Sequence, residues 1–128
     1  MKVLIACEYS GVVRDAFIRK GHDAISCDIL PTEAPGPHYQ GNVLDLINQP
    51  FDLMIAHPPC TRLTNAGRRW LHNPPPGKTM VQMWSDFFAG VELYKALRDS
   101  SIPKKCIENP IMHNHAREAI NPGPRQVV

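Results

Sequence analysis

Short continuous apolar runs alternate with stretches whose apolar positions recur every three or four residues. Residues 2–6, Lys-Val-Leu-Ile-Ala, carry after Lys2 a run that is apolar without alternation, as a strand covered on both faces of a parallel sheet requires. The run starts almost at the first residue and suits a first, central strand. Cys7-Glu8-Tyr9-Ser10-Gly11 reads as a turn, and residues 12–20 read as a helix with Val13, Ala16 and Phe17 on one face. Ser10 is the expected N-cap and Gly21 the residue that closes the helix. Strand, turn and helix make the opening half of a βαβ unit. Residues 23–27 form a second strand with Asp28 at its carboxyl end. After a proline-rich loop with Thr32 and Glu33, a short third strand is expected around 39–43. Asn42 ends that strand, and Asp45 begins one helical turn before Pro50.

A fourth apolar run, Leu53-Met54-Ile55-Ala56, leads through His57 into Pro58-Pro59. Neither proline can donate to a ladder, so the strand must stop at His57 and Cys60 is held in a rigid bend. Residues 61–78 then form a long loop. Thr79-Met80-Val81-Gln82 has the form of a capping box. It opens a long helix whose Trp84, Phe87, Phe88, Val91, Tyr94 and Leu97 recur at intervals of three and four, the spacing of a core face. Beyond Pro103, residues 105–107 read as a strand running into Glu108-Asn109-Pro110, and 111–119 as a helix with His113 and His115 on its surface. The final residues look like a loop entering a strand that the chain does not complete.

Composition narrows the picture without redirecting it. A chain of 128 residues with 43% hydrophobic and 20% charged positions is expected to form one globular domain spanning 1–128. A net charge of +2 permits nucleic-acid binding but does not argue for it. Cys7, Cys27, Cys60 and Cys106 form no Cys-x-x-Cys pair, so reduced thiols are expected and not a disulfide framework or a zinc site. His57-Pro58-Pro59-Cys60 likewise lacks the paired spacing of zinc ligands, and no metal is expected. No run approaches the length of a membrane span and no signal-peptide pattern is present, so a cytoplasmic protein is expected. The 13 prolines cluster between periodic segments and read as loop stiffeners.

Three places carry candidate chemistry. Cys60 stands just past the carboxyl end of a parallel strand, where open α/β sheets bind ligands, although on residue type alone it is equally a small packed hydrophobe. Asp28 lies 17 positions after Gly11, the separation at which nucleotide-binding α/β folds hold ribose hydroxyls; a solvated strand-end acid is the alternative. Arg62, Arg68, Arg69 and Lys78, with Trp70 among them, offer cations for phosphates and an aromatic for stacking. A solvated loop with its tryptophan folded back on the core has the same composition.

Pro58-Pro59-Cys60, then Thr64 and Ala66-Gly67, resembles the nucleophile motif of the cytosine-5 DNA methyltransferases, with Thr61 where that family has Gln. Glu108-Asn109 resembles the family's Glu-Asn-Val motif, and Tyr9-Ser10-Gly11 its cofactor loop. The motifs fall in family order across nearly the whole chain, and short proteins of this appearance look like those encoded by phages. The resemblance implies an α/β, Rossmann-like class I methyltransferase half-sheet with parallel strand order 3-2-1-4-5. It implies Cys60 as nucleophile with Glu108 and Asn109 opposite it, and DNA cytosine as substrate. S-adenosylmethionine would be held by Tyr9, Ser10, Gly11, Asp28, Asn42 and Pro58, with Asp28 on the ribose hydroxyls and Asn42 at the adenine edge. The cofactor loop has one glycine where the family has two or three, with Val12 and Val13 following Gly11, and of the family's Gln-x-Arg-x-Arg motif only Arg125-Gln126 remain. A non-catalytic module that keeps the nucleoside pocket or the DNA surface is the alternative. An unclosed sheet would also leave an edge for a second copy or a partner chain.

Overall fold

The computed structural model describes residues 1–58, 77 and 79–108. Five strands, β1 (Lys2–Ala6), β2 (Asp23–Asp28), β3 (His38–Gln40), β4 (Leu53–Ala56) and β5 (Lys104–Ile107), form one all-parallel sheet in the order β3-β2-β1-β4-β5. Helix α1 (Val12–Arg19) connects β1 to β2, and helix α2 (Met80–Arg98) precedes β5. The protein is therefore α/β, with the strand order of a Rossmann-like half-sheet. The chain divides into two compact units. The first, Met1–His57 with Ala96–Glu108, holds the whole sheet and α1, and the second includes most of α2.

The central place of β1 follows from its apolar run. Val3, Leu4, Ile5 and Ala6 have no exposed surface, so both faces of the strand are covered. Their side chains alternate, and on one face Val3, Ile5 and Ala24 pack with Val13 and Phe17 of α1 and with Leu53 and Ile55 of β4. Burying side chains of this size stabilises the fold by about 1.5–3 kcal/mol each. Val13 and Phe17 are one helical turn apart, and that spacing turns α1 onto the sheet. The helix ends as its sequence foretold: Gly21 takes φ 88°, and its N–H donates to the Ile18 carbonyl at 2.9 Å.

Several expectations about local structure are corrected. The third strand runs His38–Gln40, not 39–43. Gly41 still donates to the Asp28 carbonyl at 2.9 Å, but Asn42 leaves the strand. Its side-chain oxygen accepts from Leu44 N at 2.9 Å and starts a 3-10 turn at Val43, which Asp45 ends instead of beginning. That turn buries Val43, which a strand would have left at the sheet edge. In α2 the capping box forms as expected, with Thr79 N donating to Gln82 Oε1 at 2.9 Å and Gln82 N to Thr79 Oγ1 at 3.1 Å. Phe87, Val91, Tyr94 and Leu97 are buried, joined by Met83, whereas Phe88 is 55% exposed. Adjacent helical positions point about 100° apart, and Phe88 falls on the outward side of the stripe that Phe87 occupies. Among the described residues, no helix is long and apolar enough to cross a membrane. The expected helix over 111–119 lies outside the described residues.

Candidate functional site

The site is built at the carboxyl edge of the sheet, beginning with the loop between β1 and α1. Cys7 leaves the strand at φ 61°, a left-handed conformation that costs a non-glycine residue about 1–2 kcal/mol. The bend lets Glu8 N still donate to the Cys27 carbonyl at 3.1 Å while the Glu8 side chain turns under the start of α1. There the buried carboxylate accepts from Val13 N at 2.9 Å, from Ser10 Oγ at 3.1 Å and from Arg14 N at 3.4 Å. Gly11, at φ 81°, is the N-cap residue, and it offers no side-chain cap. The expectation that Ser10 caps the helix is thus corrected. Its hydroxyl accepts from Val12 N at 3.3 Å, but the exposed helix donors are met mainly by Glu8. A carboxylate at the positive end of the helix is favoured by the helix dipole. It also fills the place that a phosphate takes in phosphate-binding folds.

Asp28 stands at the carboxyl end of β2, next to this loop. Its Oδ1 accepts from Leu30 N at 2.9 Å, which orients the carboxylate and directs Ile29 and Leu30 outward. The loop that follows is anchored by a residue sequence reasoning missed. Arg14 is wholly buried, and its guanidinium donates to Asp15 Oδ1 at 2.9 Å, Ser26 Oγ at 3.0 Å, Thr32 Oγ1 at 3.1 Å and the Ala34 carbonyl at 2.9 Å. Longer bonds reach the carbonyls of Pro35 and Pro37, both at 3.4 Å. A second tie joins the loops directly, Glu33 N donating to the Tyr9 carbonyl at 2.8 Å. The available signal was position: Arg14 lies between Val13 and Phe17, on the flank of the apolar face. Asn42, beyond β3, is exposed and its oxygen is committed to the 3-10 turn.

On the other side of β1, the paired strands β4 and β5 end together. His57 N donates to the Ala6 carbonyl at 3.0 Å and Glu108 N to the Ala56 carbonyl at 2.9 Å, so both backbones continue the ladder one residue beyond their strands. Their side chains meet, His57 Nδ1 to Glu108 Oε2 at 2.8 Å. A carboxylate can only accept, so Nδ1 carries the hydrogen. His57 Nε2 is buried and has no hydrogen-bond partner among the described residues. Glu108 itself is largely exposed, with one oxygen on His57.

The parallel order therefore brings Tyr9, Ser10, Gly11, Asp28, Asn42 and Glu108 to one edge of one sheet. Pro58 is buried and follows His57 at the end of β4. Cys60, Asn109, Arg62, Arg68, Arg69 and Lys78 lie outside the described residues. The two thiols at the rim that are described do not suit nucleophilic work. Burial, then the charge of Asp28, pushes Cys7 up to about 12 and Cys27 up to about 11, so both stay protonated near neutrality. Among the described residues no cluster of side chains could hold a metal ion. Comparison of the chain with known protein families, with curated proteins and with solved structures finds no match.

Proposed function

We propose that the chain is a cytoplasmic, S-adenosylmethionine-dependent methyltransferase acting on cytosine in DNA, with Cys60 as its nucleophile. One observation carries the reading. The sheet order sets the β1–α1 loop and Asp28 on one side of the β1 end, and the ends of β4 and β5, with Glu108, on the other. A nucleoside cofactor on the first side and a base on the second would meet over β1. The chain enters Pro58-Pro59-Cys60 straight from β4, beside the strand that delivers Glu108.

The β1–α1 loop also favours one kind of cofactor. Glu8 already occupies the start of α1 as an internal anion, which disfavours a phosphate there and suits a nucleoside without one. Asp28, oriented by Leu30 N, would accept from the ribose hydroxyls, and Tyr9, Ser10, Gly11, Asn42 and Pro58 would border the cofactor. Bound S-adenosylmethionine supplies an electrophilic methyl group on a sulfonium. The chain supplies the nucleophile that makes cytosine reactive: the Cys60 thiolate adds to ring carbon 6, and the electron pair released from the double bond enriches carbon 5. Glu108, as a carboxylic acid, would donate its proton to ring nitrogen 3 and accept from the exocyclic amine as negative charge develops on the ring, with Asn109 beside it. Arg62, Arg68, Arg69 and Lys78 would bind DNA phosphates while the base is extruded from the duplex.

The test is covalent trapping. Protein incubated with cofactor and DNA containing 5-fluorocytosine is expected to give a complex that survives denaturing electrophoresis, and Cys60→Ala none. If the intact protein binds both ligands and forms no adduct, the catalytic reading is wrong.

A further inference from the structure

Glu108 is a long, exposed side chain, and an unrestrained glutamate samples many rotamers, so selecting one is opposed by entropy. Here one rotamer is already selected. The His57 backbone is fixed to Ala6 and the Glu108 backbone to Ala56, so two side chains 51 positions apart are presented side by side at adjoining strand ends. The imidazole is the less exposed of the two and its Nδ1–H holds Oε2 at 2.8 Å. With Oε2 committed, a ligand would meet the other oxygen, Oε1. His57 also directly precedes Pro58-Pro59-Cys60 in the sequence.

We infer that His57 is a positioning residue for Glu108: its Nδ1–H fixes the carboxylate so that the opposite oxygen meets the base without searching. This rests on the methyltransferase reading and adds to it a residue that itself touches no reacting atom. Misplacement of a reacting group by an ångström can cost about a hundredfold in rate, which sets the scale of the effect.

Two variants test it in the full-length chain. His57→Phe keeps a ring and removes the donor, whereas His57→Asn keeps an N–H donor near the Nδ1 position. His57→Phe is expected to lower turnover on cytosine DNA roughly ten- to a hundredfold with unchanged affinity for S-adenosylhomocysteine, and His57→Asn to recover most of the loss. Retention of wild-type turnover by His57→Phe, or no recovery in His57→Asn, overturns the inference while leaving the methyltransferase reading intact. In the wild-type chain, nitrogen-15 spectra of the imidazole should show a protonated Nδ1 whose shift moves in Glu108→Ala; an unmoved shift overturns the tether directly. Absence of methyl transfer by the wild-type chain overturns both readings, and the spectra then still report whether the pair exists.

Discussion

Replacing Arg14 by Met should loosen the loop after β2 before it disturbs the sheet. The guanidinium is wholly buried and spans six acceptors, but they do not count equally. Asp15 is about one-third exposed and water can replace that bond, so its loss contributes little. Ser26 keeps His38 Nδ1 at 2.7 Å, and the Ala34 carbonyl keeps Thr32 Oγ1 at 2.7 Å. What cannot be replaced is the link from α1 to residues 32–37, made of charge-assisted bonds worth about 1.5–3 kcal/mol each. Against that loss, a methionine need not have a charge removed from water, which returns several kcal/mol. The net expectation is a destabilisation of about 3 kcal/mol, read as a lower urea midpoint. The Glu33 amide, bonded to Tyr9, should exchange with solvent much faster, because the loop holding it has lost its anchor. Arg14→Lys should resemble Arg14→Met more than the wild type, since one ammonium cannot reach both Ser26 and Ala34 as the planar fork does. A loss under about 1 kcal/mol, or unchanged exchange at Glu33, would refute the assignment of Arg14 as the anchor.

Other consequences can be checked in parallel. Gly11→Ala and Gly21→Ala both place a side chain at positive φ, but a Cβ at Gly11 meets Arg14 Nη2 at 2.6 Å and one at Gly21 meets nothing within 4 Å. Gly21→Ala should therefore cost about 1 kcal/mol and Gly11→Ala clearly more, by denaturant titration. Glu8→Ala removes the acceptor for Val13 N and should cost about 1–2 kcal/mol, seen as faster amide exchange in the first turn of α1. Cys7 and Cys27 titrate higher in the folded chain than an ordinary thiol does. The unfolded chain thus loses those protons first as pH rises, and their contribution to stability, full below about 9, declines toward about 11 to 12. A Cys7→Ala, Cys27→Ala double variant should flatten that alkaline decline in thermal melts. On the proposed methyltransferase reading, Asp28→Ala should abolish calorimetric binding of S-adenosylhomocysteine without unfolding the sheet; unchanged binding would remove Asp28 from the proposed cofactor site.

Much of the architecture was legible because its signals are local. The unbroken apolar run at 2–6 marked a covered central strand. The Val13 and Phe17 spacing marked the face of α1, Thr79 and Gln82 its counterpart at the start of α2, and Gly21 a helix end. Local rules erred where a longer reach won. Ser10 is a good cap by residue type, but Glu8 arrives from inside the loop with two oxygens, and Asn42 favours its own turn over a strand. Phe88 fits a three-and-four spacing, yet it sits a third of a turn from Phe87 and faces water.

Among the described residues, the sequence by itself determined the central strands, both helices, which glycine ends α1, and which acids stand at strand ends, since each depends on neighbours within a turn or two. Only the tertiary structure decided that Arg14 is buried, because its acceptors lie up to 23 positions away, and that His57 grips Glu108 from 51 positions away. Those meetings depend on the order in which strands pair. Pairing is made by backbone groups common to every residue, and such groups leave no mark in the side chains of the partners they will bring together.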